Sequence, residues 1–277
     1  MNLENLIYNK ISSLSPGQRK VAEYILHNKE IFSYATLAKL SKDISVSETT
    51  VIRLAYSLGF DSFSEMQQKI RSEILSEPLN KNSVESDMDS FYKTAFSKEV
   101  QLLQNWISHL DEHLLDQFIE GLINADRILV VGARSSFSTA SWVGARLNLL
   151  LGNTFTIREF YDSRFDLLND VTEHTVVLSI AFARYTKWTY KYAESAKAQG
   201  AQIFSITDSI SSPLFDLSDC TILAAPAKDS MGFSSLICVY SLFDVITSKI
   251  HSERQDEITE RLNKYESTYR DFDMFYE

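Results

Sequence analysis

The stretch SVSETTVIRLAYSLGF, residues 45–60, carries the side chains of a helix that reads DNA. Val51, Leu54, Ala55 and Leu58 recur at helical spacing as an inward stripe, which leaves Glu48, Thr49, Ile52, Arg53 and Tyr56 facing out. Short hydroxyls and a guanidinium at the start of an exposed helix suit base edges and phosphates in a major groove. The predicted DNA-contacting residues are Lys42, Ser47, Thr49, Thr50, Arg53 and Tyr56, with Arg19 or Lys20 extending the basic face. On this helix alone, a surface element of a small packing domain is the competing reading.

A second stretch, VVGARSSFSTASWVGARL at 130–147, reads as strand, glycine turn and helix start. Amides at a helix N-terminus bind anions; here Ser135 and Ser136 add hydroxyls and Arg134 a fixed charge. A purely structural turn is the alternative. Gly132 lacks glycine partners at GxGxxG spacing, so no dinucleotide cofactor is expected. HLDEH, residues 109–113, matches a metalloprotease pattern, but it lies on a helix away from any strand end and has no evident third ligand. No metal is expected. Cys220 and Cys238 sit in apolar sequence without CxxC spacing and read as reduced core residues.

These side chains need elements to hold them. Ser15 caps a helix with Pro16 at its first position and Val21, Ala22, Ile25 and Leu26 inward. Thr36 starts a shorter helix with Leu37, Leu40 and Ser41 inward, and Ser47 starts the reading helix, which ends at Gly59. With a tight turn at 43–46 and a further helix over 64–75, this is a helix-turn-helix unit. Residues 76–90, SEPLNKNSVESDMDS, are polar and form the expected linker. Helical pattern returns over 91–124. Five apolar runs then alternate with amphipathic helices: RILVV, TFTIRE, TVVLSI, AQIFSI and CTILAA. That alternation predicts a doubly wound α/β domain over 91–250, leading helix included, with ligands at the carboxyl ends of its strands. Residues 251–277 form a charged helical tail ending in FDMFYE, expected to pack on the domain or on a sister subunit.

The totals agree with two domains. The chain has 277 residues, 44% of them hydrophobic, enough for a substantial core. MNLENLIYNK lacks the basic start and apolar run of a signal peptide, and no segment approaches the roughly 18 apolar residues of a membrane span, so a cytoplasmic protein is expected. The formal net charge is -10, yet the first 75 residues hold nine Lys plus Arg and eight acids, a net of +1. An acidic remainder is repelled by phosphate, so any DNA contact must come from the first 75 residues.

Residues 14–70 resemble the N-terminal helix-turn-helix of the RpiR family of bacterial regulators, on Leu14, Ser15, the 21–26 stretch with Asn28, Val46, Ser47, Thr50, Val51, Arg53, the 58–60 stretch and Phe63. Ser45 departs from the pattern, standing at a turn position usually held by glycine. From about residue 125 to 250 the chain resembles the sugar isomerase (SIS) domain that follows in such proteins. The resemblance implies oligomers formed through the second domain and a phosphosugar-type ligand held by hydroxyls after the first and third strands. In IAFARYTKW, residues 180–188, Ala181 and Ala183 occupy the usual serine positions and Arg184 the glycine position, while Thr186 keeps the final hydroxyl. It looks like the RpiR subgroup with arginines in both loops. Two guanidiniums suit a carboxylate or phosphate better than an array of sugar hydroxyls.

Arg134, Ser135, Ser136, Arg184, Tyr185, Thr186 and Thr207 are the predicted ligand-binding residues, with Ser209 beside them. Alternatively, Arg134 and Arg184 pair with Asp162, Asp166 or Asp208 and brace the fold, and the 207–219 segment is a plain loop. Isomerisation of a sugar phosphate needs a carboxylate or histidine base at the substrate carbon, and the segment after the last strand offers only Asp229. The expected protein is therefore no enzyme but a regulator that binds a double-stranded operator and a small anionic effector, as a homodimer or homotetramer. The rival is a SIS-type isomerase with an accessory helical domain.

Overall fold

The structure, a computed structural model, describes residues 3–76, 91–159, 163–224 and 235–276. The chain divides into two compact units, 1–88 and 89–277. Apart from Ser76, the last residue of a helix, the predicted linker lies outside the described residues.

The first unit has six described α-helices: α1 (Leu3–Lys10), α2 (Pro16–His27), α3 (Lys29–Tyr34), α4 (Leu37–Ile44), α5 (Glu48–Leu58) and α6 (Phe63–Ser76). Its helix starts follow local chemistry. Ser15 and Gln18 form a reciprocal capping box, with Pro16 at the first position; Thr36 accepts from the Lys39 amide and Ser47 from the Thr50 amide. Leu3, Ile7, Val21, Ile25, Phe32, Leu40, Val51, Leu54, Met66 and Ile70 close the core. Sequence periodicity does not reveal α1 and α3. The latter is only six residues long, yet it delivers Phe32 edge-on to Phe63, with centroids 5.9 Å apart. Between α4 and α5 the chain turns through Ser45 at φ 57°, ψ 47°, a left-handed residue, while Val46 N–H donates to Ser41 C=O at 3.0 Å.

The second unit opens with α7 (Phe91–Ile107) and α8 (Glu112–Asn124). The single helical run expected over 91–124 is broken because Asp111 Oδ1 accepts from the Leu114 amide at 3.0 Å, starting a new helix. There follow β1 (Arg127–Val131), α9 (Ser135–Leu151), β2 (Thr154–Ile157), β3 (Thr175–Ala181), α10 (Lys187–Ala198), β4 (Gln202–Thr207), α11 (Pro213–Leu217), β5 (Cys220–Leu223), α12 (Ile237–Glu253) and α13 (Gln255–Asp271). The five strands are parallel in the order β2-β1-β3-β4-β5.

Alternate strand residues face two apolar layers. Ile128, Val130, Leu178, Ile180, Phe204 and Ile206 pack with α8, α9 and α12 on one face. Leu129, Val131, Val177, Ile203 and Ala181 pack with α10 and Leu214 of α11 on the other. The helix α12 runs on past residue 250 to Glu253, and Ile258 of α13 lies in the first layer. The strand order reverses between β1 and β3, so the segments after these two strands leave the sheet on either side of a switch point.

Candidate DNA interface and candidate anion site

In the first unit Lys42, Thr49, Arg53 and Tyr56 are exposed along the end of α4 and the outer face of α5, whereas Val51, Leu54, Ala55 and Leu58 are buried. Ser47 and Thr50 do different work. Their hydroxyls lie 2.8 Å apart at the helix start, and Thr50 is half-buried, its methyl 3.0 Å from where a Cβ on Gly17 would stand. Both serve the start of α5 and its packing on α2. The expected contribution of Arg19 to the basic face is overturned: only 8% exposed, its Nε donates to Ile11 C=O and Leu14 C=O, each at 3.2 Å. A guanidinium that satisfies loop carbonyls below the surface is a brace. Lys20 is exposed. Sequence reading missed Lys10, whose Nζ donates to Ser57 C=O at 2.9 Å and so places a positive charge at the negative end of α5.

In the second unit the turn from β1 into α9 passes through Arg134 at φ 54°, ψ -121°, and no side chain caps the helix. The turn from β3 towards α10 passes through Arg184 at φ 65°, again left-handed, and Thr186 precedes α10 without a side-chain cap bond. Because β1 and β3 are neighbours, two arginines and two uncapped helix N-termini meet at the same edge of the sheet, flanking the switch point. Both arginines are exposed, and among the described residues neither has an ion pair. L-residues persist in such backbone conformations only where their surroundings impose them, and such positions concentrate at functional sites.

Gly132 makes the first turn tight. A Cβ there would lie 2.8 Å from Ser136 C=O, 2.9 Å from Ala140 Cβ and 3.2 Å from Ile180 C=O, so the helix start, β1 and β3 close on hydrogen alone.

The remaining predicted ligand residues divide. Ser135 is exposed and Ser136 is 8% exposed in the first turn of α9. The Thr186 hydroxyl is 2.8 Å from that of Thr189, inside the first turn of α10. Tyr185 donates its hydroxyl to Asp208 at 2.8 Å. Thr207 is fully buried at the end of β4, with its hydroxyl beneath the surface and unpartnered among the described residues, so it does not line an open site. Ser209 is also buried, and its Oγ accepts from the Ser211 amide at 2.9 Å. Of the acids expected to brace the arginines, Asp208 binds other groups, Asp166 is exposed without an ion pair among the described residues, and Asp162 lies outside them, as does Asp229.

Two open clefts lie elsewhere on this unit. One, of about 360 Å3, is at the amino ends of the strands against α8; the other, of about 440 Å3, runs along the β2 flank of α9 past Arg158 and Arg164. Neither includes Arg134 or Arg184. HLDEH straddles the break between α7 and α8, so its histidines share no helix face, and among the described residues no three His, Cys, Asp or Glu side chains gather as a metal site. Cys220 and Cys238 are buried and unpaired; burial, with Asp219 or Glu99 nearby, pushes each thiol up to about 11, which keeps both protonated.

Comparison with known proteins accords with this architecture. Residues 1–77 match the helix-turn-helix domain of the rpiR family, and residues 121–249 match the SIS domain. An HTH-type transcriptional regulator of Haemophilus influenzae is 25% identical over 231 residues, covering 80% of this chain and 79% of its own. The HTH-type transcriptional regulator HexR of Pseudomonas aeruginosa is 24% identical over 261 residues, 91% of this chain and 90% of its own. Among solved structures, the Vibrio vulnificus NanR protein complexed with ManNAc-6P covers 98% of this chain and 99% of its own at 19% identity, with a TM-score of 0.59. The sugar isomerase domain of an RpiR transcription factor from Sphaerobacter thermophilus covers 64% of this chain and 98% of its own at 19% identity, with a TM-score of 0.60. These structures share the fold. With a helix-turn-helix unit before a five-stranded parallel sheet, and both family models matching in that order, the chain belongs to the RpiR family of transcriptional regulators with a SIS domain.

Proposed function

We propose that this regulator reads a double-stranded operator with the exposed face of α5 and senses a small anionic metabolite, a phosphosugar or sugar acid, at the switch point of its SIS domain. The observation that carries the sensing half is the pair Arg134 and Arg184. Each sits in a left-handed backbone conformation, each is exposed, and among the described residues neither has an ion pair. A brace would show the opposite, a guanidinium buried against a carboxylate. The domain also makes the homodimer or homotetramer, which presents two reading helices to two half-sites and thereby reaches specific affinity. The effector acts by binding more tightly to one relative placement of the reading heads than to the other.

No catalysis is assigned to this site: the described residues around the two arginines include hydroxyls and guanidiniums but no histidine, and the Asp208 carboxylate is already engaged by two donors. That NanR was solved with ManNAc-6P favours a phosphosugar over a neutral sugar.

The test is thermal unfolding of wild type, Arg134→Ala and Arg184→Ala with inorganic phosphate, sugar phosphates and sugar acids. A charge-assisted bond contributes about 1.5 to 3 kcal/mol, so loss of either arginine is expected to weaken binding by about tenfold or more. DNA retardation by the effector-free variants should match wild type. If no anion in the panel stabilises wild type and the variants melt lower without ligand, the arginines are structural and the reading fails.

A further inference from the structure

Asp208 lies one residue beyond β4, half-buried beside the loop that carries Arg184. Its Oδ2 accepts from the Ala183 amide at 3.0 Å, and its Oδ1 accepts from the Tyr185 hydroxyl at 2.8 Å. These donors belong to the residues immediately before and after Arg184, the one residue of the loop held at φ 65°. We infer that Asp208 is a positioning residue, a clamp that fixes the backbone on both sides of Arg184 in its left-handed conformation and leaves the guanidinium free for an anion. The inference rests on the proposed reading only in naming what the guanidinium meets; the clamp itself is a claim about the loop.

A carboxylate can do this because it accepts at both oxygens and donates at neither. An asparagine with its amide oxygen on the Ala183 N–H would donate its NH2 to the Tyr185 hydroxyl, which accepts as well as donates, so it keeps both contacts; an alanine removes both acceptors. The short aspartate stem on the rigid end of a central strand sets the loop's position, and the two bonds commit the carboxylate to the loop rather than to Arg184. Had Asp208 paired with Arg184 instead, the guanidinium would be neutralised and the anion excluded. The clamp also removes the Ala183 N–H from the donors available to a ligand, which leaves the uncapped first turn of α10 as the backbone donor beside Arg184. A glycine would adopt φ 65° without restraint, so the clamp is needed because an arginine stands there.

That dependence is the test. Full-length wild type, Asp208→Ala, Arg184→Gly and the double variant are unfolded in denaturant, and their affinities for inorganic phosphate and glucose 6-phosphate are measured by calorimetry. Tyr185→Phe, which removes one bond and keeps the other, is carried alongside in case Asp208→Ala does not fold. With Arg184 in place, Asp208→Ala is expected to shift the unfolding equilibrium at least fivefold further than it does in the Arg184→Gly background. It should also weaken anion binding about tenfold, with Tyr185→Phe intermediate. The double variant should bind no more weakly than Arg184→Gly alone, because both changes act through one loop. Equal destabilisation in both backgrounds, or unchanged anion affinity in Asp208→Ala where wild type binds, would overturn the clamp. If wild type binds neither anion, the proposed effector reading fails separately, and the unfolding cycle alone decides: coupling supports the clamp and additivity sinks it.

Discussion

At the scale of single residues, the same side chain does different work according to the backbone beneath it. Arg19 is buried and gives its Nε to two loop carbonyls, whereas Arg53 projects into solvent from the outer face of α5. Arg53→Ala is therefore expected to weaken operator binding by about 1 to 3 kcal/mol at fixed salt without lowering the melting temperature, as read by gel retardation beside a thermal melt. Thr49→Ala should change sequence preference more than overall affinity; an equal loss across all sequences would show that Thr49 meets only phosphate. Ser45 supplies a second case. An L-residue at φ 57° costs about 1 kcal/mol relative to glycine, so Ser45→Gly is expected to raise the unfolding free energy by about that amount, measured by denaturant titration with DNA binding retained. The buried thiols have the reverse character. With ionisation pushed up to about 11, Cys220 and Cys238 should resist alkylation at pH 8 in the native protein and react once it is unfolded.

At the scale of elements, what matters is how closely two backbones approach. The start of α9 sits over β1 and β3 because Gly132 adds nothing between them, and two of the three atoms a Cβ would meet are main-chain oxygens. Gly132→Ala should lift the first turn of α9 from the sheet and destabilise the second unit by about 1 to 3 kcal/mol, a cost visible in its thermal melt and paired with weaker anion binding, since Arg134 and Ser135 ride on that turn. The helix α5 rests on similar contacts: Thr50 packs on Gly17, Gln18 Nε2 donates to Ser57 Oγ at 2.7 Å, and Lys10 closes its far end. Its outer face is left exposed because its inner face is committed to α2.

At the scale of the whole molecule, the two units divide the work by charge. The residues after 75 carry a formal net charge of -11, which repels the polyanionic backbone of a duplex, while the first 75 carry +1 with Lys42, Arg53 and Lys20 on the surface. The fragment 91–277 is accordingly expected to keep any anion-induced stabilisation and to retard no DNA even at low salt. The full chain should bind its operator with an affinity that falls steeply as salt rises. Retardation of DNA by the fragment would show that the acidic unit holds a duplex contact.

Much of this architecture is legible in the amino-acid sequence, and the reasons are local. Ser15, Thr36 and Ser47 announce helix starts because a cap bonds an amide three residues on, and Gly59 marks an end because only the next few residues decide its φ. Apolar runs of strand length alternating with helices determine a parallel sheet, since both faces must be covered. The sequence likewise places an arginine after each of two strands. Tertiary structure alone decided the rest. Periodicity runs on through Asp111 and does not show that its carboxylate caps a new helix. Nor does it show that Arg19 finds the carbonyls of Ile11 and Leu14, or that Thr207 is enclosed. Asp208 is the clearest instance: by charge it is a candidate partner for Arg184, but the fold brings it to the amide and hydroxyl on either side, 25 and 23 positions away in the chain. Which donor a carboxylate meets depends on strand order and register, and these are settled by the packing of the whole sheet.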